Sequence, residues 1–172
     1  MGLDLSLTGT GVVVLKDDHV VLELLIKSKP TDKKRPVDEI ERIVLIKEKI
    51  ISIIKEFNPD MVVIEGMAFG VRNATALTQL SGLNYMIREY LWKNKIDFRI
   101  VAPTSLKKFI TGNGKAKKEE MMISVFDKFH VSFVDDNIVD SFSLAVVGRT
   151  IIIDDPQSEG EKSLLTILKK QS

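Results

Sequence analysis

Three acidic residues occupy positions where the sequence is otherwise apolar. Asp4 follows the apolar start of the chain, Glu65 ends the apolar run 61–64, and Asp140 lies inside the apolar segment 139–145. An ionised carboxylate beside a hydrophobic core is costly unless a cation or hydrogen bonds compensate its charge. Carboxylate oxygens are the ligands that Mg2+ takes in proteins, so the sequence predicts that these three residues converge on a divalent cation.

Further acidic residues precede Asp140. Asp136 lies four residues before it and Asn137 three, so each shares one face of a helix with Asp140. Asp135 and Asp136 are also suited to cap that helix and to complement its dipole. Capping does not account for Asp140, which lies within the helix.

The composition excludes other kinds of site. The chain has no cysteine and only two histidines, which excludes a thiolate site and disfavours a histidine-rich zinc site. No apolar run reaches membrane-spanning length and no targeting segment opens the chain, so we expect a cytoplasmic protein that does not contact a membrane. The 172 residues, 44% of them hydrophobic, fit one ordinary globular domain.

A basic group indicates a polyanionic ligand although the net charge is only +1. Lysines flank the glycine loop 112–114, and such a group is suited to capture phosphate backbones. The candidate DNA-binding lysines are Lys107, Lys115, Lys117 and Lys118.

Two loops are candidates for contact with nucleic acid or metal. In the turn that follows Asp4, Gly9 and Gly11 could supply the positive φ of a hairpin, or could let a phosphate or metal approach the backbone. Phe69, between small residues soon after Glu65, is suited to stack on bases, and folding back onto the sheet is the alternative.

The order of elements predicts an α/β domain. The apolar patterns predict strands at Asp4, 11–15, 20–26, 61–65 and 97–101, and helices at 37–57, 73–94, from 103, 117–129 and 137–153. We expect residues 1–153 to form a mixed five-stranded sheet, a three-strand antiparallel meander plus two parallel strands, with helices on both faces. Residues 154–172 are predicted to be a polar tail with a short helix at 164–168. If the first and fourth strands are parallel neighbours, Asp4 and Glu65 lie at the same edge.

Together these motifs resemble the RuvC family of Holliday-junction resolvases, within the ribonuclease H-like nuclease superfamily. The resemblance spans residues 3 to 150 and rests on four segments: Asp4 to Gly11, Phe57 to Glu65, the Gly112-x-Gly114 loop with Lys118, and Asp140 to Ala145. The short chain and its loose motifs resemble phage-encoded members more than the bacterial housekeeping enzyme.

The resemblance implies a ribonuclease H-like fold and a homodimer that cleaves four-way DNA junctions in two symmetric strands, leaving 5′ phosphates. It implies that Asp4, Glu65 and Asp140 bind metal. Lys107 and Lys118 match basic residues that contact DNA near the cleaved phosphate. Helix 73–94 is the predicted dimer face.

The mechanism that follows uses two Mg2+ ions about 3.5–4 Å apart, with Mn2+ as an alternative. Asp4 would bridge the ions, Glu65 and Asp140 would complete one each, and Lys118 would offset charge in the transition state. Asn137 departs from the family, which places a metal-binding acid or histidine there. Either Asn137 binds through its carbonyl oxygen, or Asp136 takes over from one position earlier.

Two other functions compete with this interpretation. One is a less selective nuclease of the same fold that acts on forks, flaps or RNA. The other is a junction-binding module without catalysis, which Asn137 makes conceivable. The turn at Asp4 also resembles the phosphate loop of actin-like ATPases, but those use two such domains and 172 residues supply one.

Overall fold

The computed structural model describes residues 1–30, 37–67 and 74–171. Within these ranges one sheet of five strands has the order β3-β2-β1-β4-β5. The strands are β1 (Gly2–Asp4), β2 (Thr10–Lys16), β3 (His19–Ile26), β4 (Val62–Glu65) and β5 (Phe98–Val101). The helices are α1 (Asp38–Phe57), α2 (Ala74–Lys93), α3 (Pro103–Thr111), α4 (Lys118–Phe129), α5 (Asp136–Ile153) and α6 (Glu159–Leu168), followed by a 3-10 helix (Lys169–Gln171). In the part of the chain so described, no helix is both long and apolar enough to cross a lipid bilayer.

The sheet is mixed, as predicted. Strands β1, β2 and β3 form an antiparallel meander, whereas β4 runs parallel to β1 and β5 runs parallel to β4. Leu3 pairs with Ile64 in the parallel register of β1 and β4. Asp4 and Glu65 are the next residues of these strands, so both side chains lie at the carboxyl edge of the sheet.

Side-chain alternation along the strands divides the core into two layers. In β4, Val62 and Ile64 face the layer of α1 and α2, while Val63 faces the opposite layer. The first layer is filled by apolar residues of α1 and α2, chiefly Ile43, Ile46, Ile50, Ile54, Leu83, Ile87 and Leu91. The second is filled by α3 to α6, chiefly Leu106, Phe109, Ile110, Met121, Val125, Phe142, Leu144 and Leu164. Helices therefore cover both faces, as expected.

The predicted limits of four helices agree with the structure to within one residue at each end. Helix α1 ends because Asn58 takes the left-handed conformation, with φ at 42°, and its N–H bonds to Ile54 O. Helix α3 ends at Gly112, whose φ is 80°. Turn-forming residues thus set these limits where the sequence indicated.

Helix α5 lies directly on the backbone of β1 and β2. A Cβ added at Gly2 would lie 2.0 Å from Ser141 O, and one at Gly11 would lie 2.1 Å from Asn137 O. Only glycine leaves room for such an approach. The expectation of positive φ at Gly9 and Gly11 is wrong, since neither is among the described glycines with positive φ. Glycine is required at position 11 because any side chain there would clash with α5, which packs directly on this strand.

The C-terminal segment differs from the predicted polar tail. The short helix predicted at 164–168 is the second half of α6, which begins after the N-cap Ser158. Leu164, Leu165 and Leu168 are buried in the same core layer as α3 and α5. Charged residues outnumber the leucines of this segment, so its apolar face was not evident in the sequence.

The C-terminal residues also close part of one sheet edge. Beyond α6, the Gln171 side chain pairs with the backbone of the edge strand β5. Gln171 Nε2 donates to Ile100 O over 3.1 Å, and Ile100 N donates to Gln171 Oε1 over 3.0 Å.

Candidate active site

The three predicted metal-binding acids lie together at the carboxyl edge of the sheet. Asp4 and Glu65 end adjacent parallel strands, and Asp140 is in the second turn of α5, which packs on β1. Asp4 is buried, with 9% of its surface exposed, and the other two are half-buried. Asp4 and Glu65 share a side-chain hydrogen bond, and the charge of Asp140 acts on both. We call these three residues the carboxylate site.

The electrostatics of the carboxylate site favour protonation. Burial, followed by the charge of Asp140, raises the pKa of Asp4 to about 7. Burial, followed by the charges of Asp4 and Asp140, raises the pKa of Glu65 to about 8. Burial raises the pKa of Asp140 to about 6, although Lys107 and Lys118 act to lower it. Without added positive charge, the raised pKa values of the three acids therefore favour protonation of the site near neutral pH.

The donor chemistry fits a hard divalent cation, because the site offers several carboxylate oxygens and lacks the positive charge to balance them. The side chains are not arranged as a preformed ion cage. Among the described residues, no three acidic or histidine side chains are grouped as the ligands of one metal ion. A cation that binds here would compete with the protons that the raised pKa values of Asp4 and Glu65 retain.

Two of the four predicted DNA-binding lysines act on the carboxylate site. Lys107 is in α3 and Lys118 is the first residue of α4, and their charges lower the pKa of Asp140. Lys118 Nζ also donates to Asp136 Oδ2 over 2.5 Å. Lys115 and Lys117 are exposed between α3 and α4, and within the described ranges neither forms an ion pair with these acids.

The start of α5 holds three polar side chains with different partners. Asp136 faces Lys118 across the gap to α4. Asp135 is the N-cap, and its Oδ1 accepts hydrogen bonds from Asn137 N and from Asn137 Nδ2, each over 2.9 Å. From the sequence, Asp135 was predicted only to cap the helix. Its charge also raises the pKa of Asp4, after the larger effects of burial and Asp140, a proximity that depends on β1 lying beside α5.

The loop that follows Asp4 is held by hydrogen bonds from two directions. Within the loop, Ser6 N donates to Thr10 Oγ1 over 3.0 Å, and Thr10 Oγ1 donates to Ser6 O over 2.5 Å. From outside, Ser28 Oγ and Arg42 Nη2 donate to Leu7 O over 2.5 and 2.9 Å. These bonds fix the backbone beside Asp4. Only the hydroxyl pattern of the loop was visible in the sequence.

Phe69 lies in the segment 68–73, outside the described residues, so its base-stacking role stays a prediction. Two clefts in the described part of the molecule, of about 780 and 840 Å3, contain none of the three carboxylates.

Comparison with known proteins identifies the family. The family model for crossover junction endodeoxyribonuclease RuvC matches residues 1–148. The chain belongs to the RuvC family. Among RuvC relatives, the protein of Prochlorococcus marinus (strain NATL2A) is 26% identical over 150 residues, covering 86% of this chain and 96% of its own. The RuvC of Borrelia turicatae (strain 91E135) is 30% identical over 110 residues, covering 62% of this chain and 68% of its own.

Solved RuvC structures share the fold. The Thermus thermophilus RuvC structure matches with a TM-score of 0.68 at 18% identity, covering 89% of this chain and 95% of that one. The T. thermophilus RuvC in complex with Holliday junction substrate matches with a TM-score of 0.69 at 20% identity, covering 84% and 88%. The predicted ribonuclease H-like fold is therefore confirmed. The family assignment also agrees with the predicted endonuclease function, whereas the likeness to phage-encoded members stays a prediction.

Proposed function

We propose that this protein is a divalent metal-dependent endonuclease that resolves four-way DNA junctions. It hydrolyses one phosphodiester in each of two symmetric strands and leaves 5′ phosphates. One structural observation carries this proposal beyond family membership: acids from three distant segments, Asp4, Glu65 and Asp140, interact at one edge of the sheet.

The carboxylate site is the proposed metal site, with Mg2+ as the ion and Mn2+ as the alternative. We propose that two ions would bind here and that Asp4, Glu65 and Asp140 would hold them. Asn137 or Asp136 supplies one further oxygen. Bound divalent cations activate water and stabilise the leaving oxygen during in-line displacement at phosphorus.

Lys107 and Lys118 contribute positive charge beside the reacting phosphate. Their charges already reach Asp140, so a phosphate next to these acids lies within range of both. Lys118 is exposed and can exchange its bond with Asp136 for a phosphate oxygen. We infer that these lysines hold the phosphate and stabilise the charge that develops on it.

A symmetric junction suits a two-fold dimer, because one symmetry operation presents two sites to two equivalent strands. We propose that the dimer forms through the outer face of α1 and α2. Apolar side chains are exposed there, including Ile40 at 53%, Val44 at 37% and Met86 at 38%. Met86 also lines a groove with Ile51 of α1. Burying such a patch in a dimer removes apolar surface from water.

The deciding experiment is a junction-cleavage assay with Mg2+ on the wild type and on Asp4→Asn. We expect Asp4→Asn to lose cutting and to keep junction binding, because the substitution removes a metal ligand and leaves the lysines intact. Asp127→Asn is the matched control, since Asp127 is an exposed acid of α4. Equal cutting by the wild type and Asp4→Asn would contradict the proposal.

Substrate comparison separates the competing functions. A junction resolvase is expected to cut a four-way junction faster than a replication fork or a plain duplex. A broader nuclease of the same fold would cut fork and junction at similar rates. A non-catalytic module would bind the junction without Mg2+-dependent cutting. Ligation of the cleaved products would test whether their 5′ ends carry phosphates.

A further inference from the structure

An exposed tryptophan lines a cleft between the end of α2 and the edge strand β5. Trp92, the only tryptophan of the chain, is 72% exposed, whereas Leu91 beside it is fully buried. The cleft has a volume of about 780 Å3, and Arg88 and Lys95 of the α2 side line it together with residues 97–100 of β5. We call this cleft the Trp92 groove.

The Trp92 groove carries a net positive charge. Its charged lining residues are three cations, Arg88, Lys95 and Arg99, and one acid, Asp97. Arg99 forms an ion pair with Asp97. Within the described ranges, neither Arg88 nor Lys95 forms an ion pair with an acidic side chain. Both charges are therefore available to an anionic ligand.

The backbone holds Lys95 next to Trp92. Helix α2 ends in two hydrogen bonds, from Ile96 N to Leu91 O over 3.0 Å and from Lys95 N to Trp92 O over 3.1 Å. At this kind of helix end the residue in the position of Lys95 is left-handed, and glycine is the usual residue there. Lys95 has a φ of 56°. A cation thus occupies a backbone position that glycine would adopt with less strain.

The Trp92 groove adjoins the carboxylate site along the edge of the sheet. Val101 is the register partner of Glu65, and the preceding residue, Ile100, lines the groove. Each residue of a strand advances the chain by about 3.3 Å. A DNA strand that passes the carboxylate site can therefore reach the groove by following β5 from Val101 towards Asp97.

We propose that the Trp92 groove binds single-stranded DNA, with a base stacked on Trp92 and phosphates held by Arg88 and Lys95. Single-strand binding sites combine a positively charged groove with aromatic side chains in this way. Continuity with the carboxylate site favours DNA over an acidic protein segment as the ligand. The inference goes beyond the proposed function, since binding in the groove requires neither metal nor cleavage.

The fluorescence of Trp92 reports directly on the groove, because the chain has no other tryptophan. Titration with a short single-stranded oligothymidylate, at low salt and with a chelator present, is expected to quench this fluorescence in a saturable manner. Asp4→Asn is expected to show the same quenching, which separates groove binding from the proposed catalysis. Absence of saturable quenching in the wild type would overturn the proposal.

Lys95→Gly removes one cation without damaging the end of α2, because glycine is favoured in the left-handed position. We expect this variant to melt no lower than the wild type. Its plot of log affinity against log salt concentration should be shallower by about 0.7, the value for one lost phosphate contact on a single strand. Lys16→Gln is the control, since Lys16 is exposed on β2, which β1 and β4 separate from β5. An unchanged slope in Lys95→Gly would overturn the proposal.

The stacking contact is tested by replacing Trp92 and following the anisotropy of a labelled oligothymidylate. Loss of one stacked base corresponds to about 1–3 kcal/mol, so Trp92→Leu should weaken binding by about 5–150-fold, and Trp92→Phe by less. A duplex of equal length has its bases already stacked on one another, and its binding should not respond to Trp92→Leu. Equal affinity of the wild type and Trp92→Leu for the oligothymidylate would contradict the proposal.

Two further results would assign the Trp92 groove to a different ligand. Quenching by polyglutamate as strong as that by the oligothymidylate would indicate an acidic protein segment. Conversion of a dimer to monomers by Trp92→Leu in sedimentation velocity would indicate a second copy of this chain. Either result would overturn the proposal and would leave the proposed function of the carboxylate site untouched.

Discussion

At the scale of single residues, the carboxylate site shows how burial changes ordinary acids. Asp4, Glu65 and Asp140 lie close together, partly removed from water, and without enough positive charge around them. Each therefore has a raised pKa, with burial as the largest cause. The folded protein retains protons at pH values where the unfolded chain has released them, which links its stability to pH and to metal.

The metal-free protein is expected to lose stability as the pH rises from about 5 to about 8. In the folded state the pKa values of Asp140, Asp4 and Glu65 are about 6, about 7 and about 8. In the unfolded chain they are about 4. The folded state thus binds more protons over this range, and the free energy of unfolding must fall with rising pH. Thermal denaturation with a chelator at several pH values measures the effect.

Mg2+ is expected to reverse this loss, because it replaces the missing positive charge. The rise in Tm on adding Mg2+ should be larger at about pH 8 than at about pH 5, where protons compete with the metal. Asp4→Asn serves as the control, since it removes one of the mutually repelling charges and should flatten the pH dependence. A Tm that rises between these pH values without metal would contradict the argument.

Strand ends and apolar runs were enough to predict that Asp4, Glu65 and Asp140 lie at one site. The sequence also predicted that Asp135 caps α5. It did not predict that Asp135 holds the Asn137 side chain, because local spacing does not specify which atoms of an amide face a neighbour. The hydrogen bond from Arg42 to Leu7 O joins residues 35 apart in the sequence. No periodic pattern in the sequence could have predicted it.

At the scale of elements, α5 decides where the acids meet. It is apolar on most of its surface and is buried against β1 and β2 through glycines. This close packing brings the first turns of α5 beside the ends of β1 and β4. A larger residue beneath the helix would move Asp140 away from its partners.

Gly11→Ala is expected to destabilise the protein by at least about 1–3 kcal/mol and to weaken metal binding. The added Cβ would lie 2.1 Å from Asn137 O and 2.2 Å from Ser141 Oγ, so α5 would have to shift. Gly82→Ala in α2 is the matched control. Its Cβ would meet only Ile43 Cδ1, at 3.6 Å, and alanine favours a helix. Urea denaturation and Mg2+ titration of both variants would measure the difference.

Met86→Glu is expected to weaken the proposed dimer. Met86 belongs to the exposed apolar face of α1 and α2, and burying a carboxylate there without a partner is costly. Trp92→Glu is the control, because Trp92 is 72% exposed on α2 but lines a different groove, with Lys95 and Ile96. Sedimentation velocity should show dissociation of Met86→Glu alone. Dissociation of Trp92→Glu alone would place the interface on the other side of α2.

Helix limits were predictable because the apolar period and turn residues such as Asn58 act locally. Parallel pairing of β1 with β4 was only conditional at that stage, since it depends on how the chain crosses over. Positive φ at Gly9 and Gly11 was predicted wrongly because, like strand pairing, the role of these glycines depends on residues distant in the sequence. A glycine needed for close packing and a glycine needed for positive φ look alike until the neighbouring helix is seen.

At the scale of the whole molecule, the core continues past residue 153. Leu165 of α6 is 3% exposed and packs in the layer that contains α3 and α5. We propose that the folded domain includes this helix. Leu165→Ala is then expected to cost about 2–5 kcal/mol. Ile167→Ala, at a residue 54% exposed, should change stability by less than about 0.5 kcal/mol. Equal melting temperatures for the two variants would show that α6 is dispensable.

The pairing of Gln171 with Ile100 bears on how copies of this protein can associate. An open β-strand recruits further strands, which leads to uncontrolled chain-to-chain polymerisation. Here one amide side chain already occupies both backbone groups that Ile100 presents at the outer side of β5. Sheet-to-sheet joining at that point would first have to displace Gln171. Dimerisation through helices would not require this displacement, and such a dimer could act on two DNA strands at once.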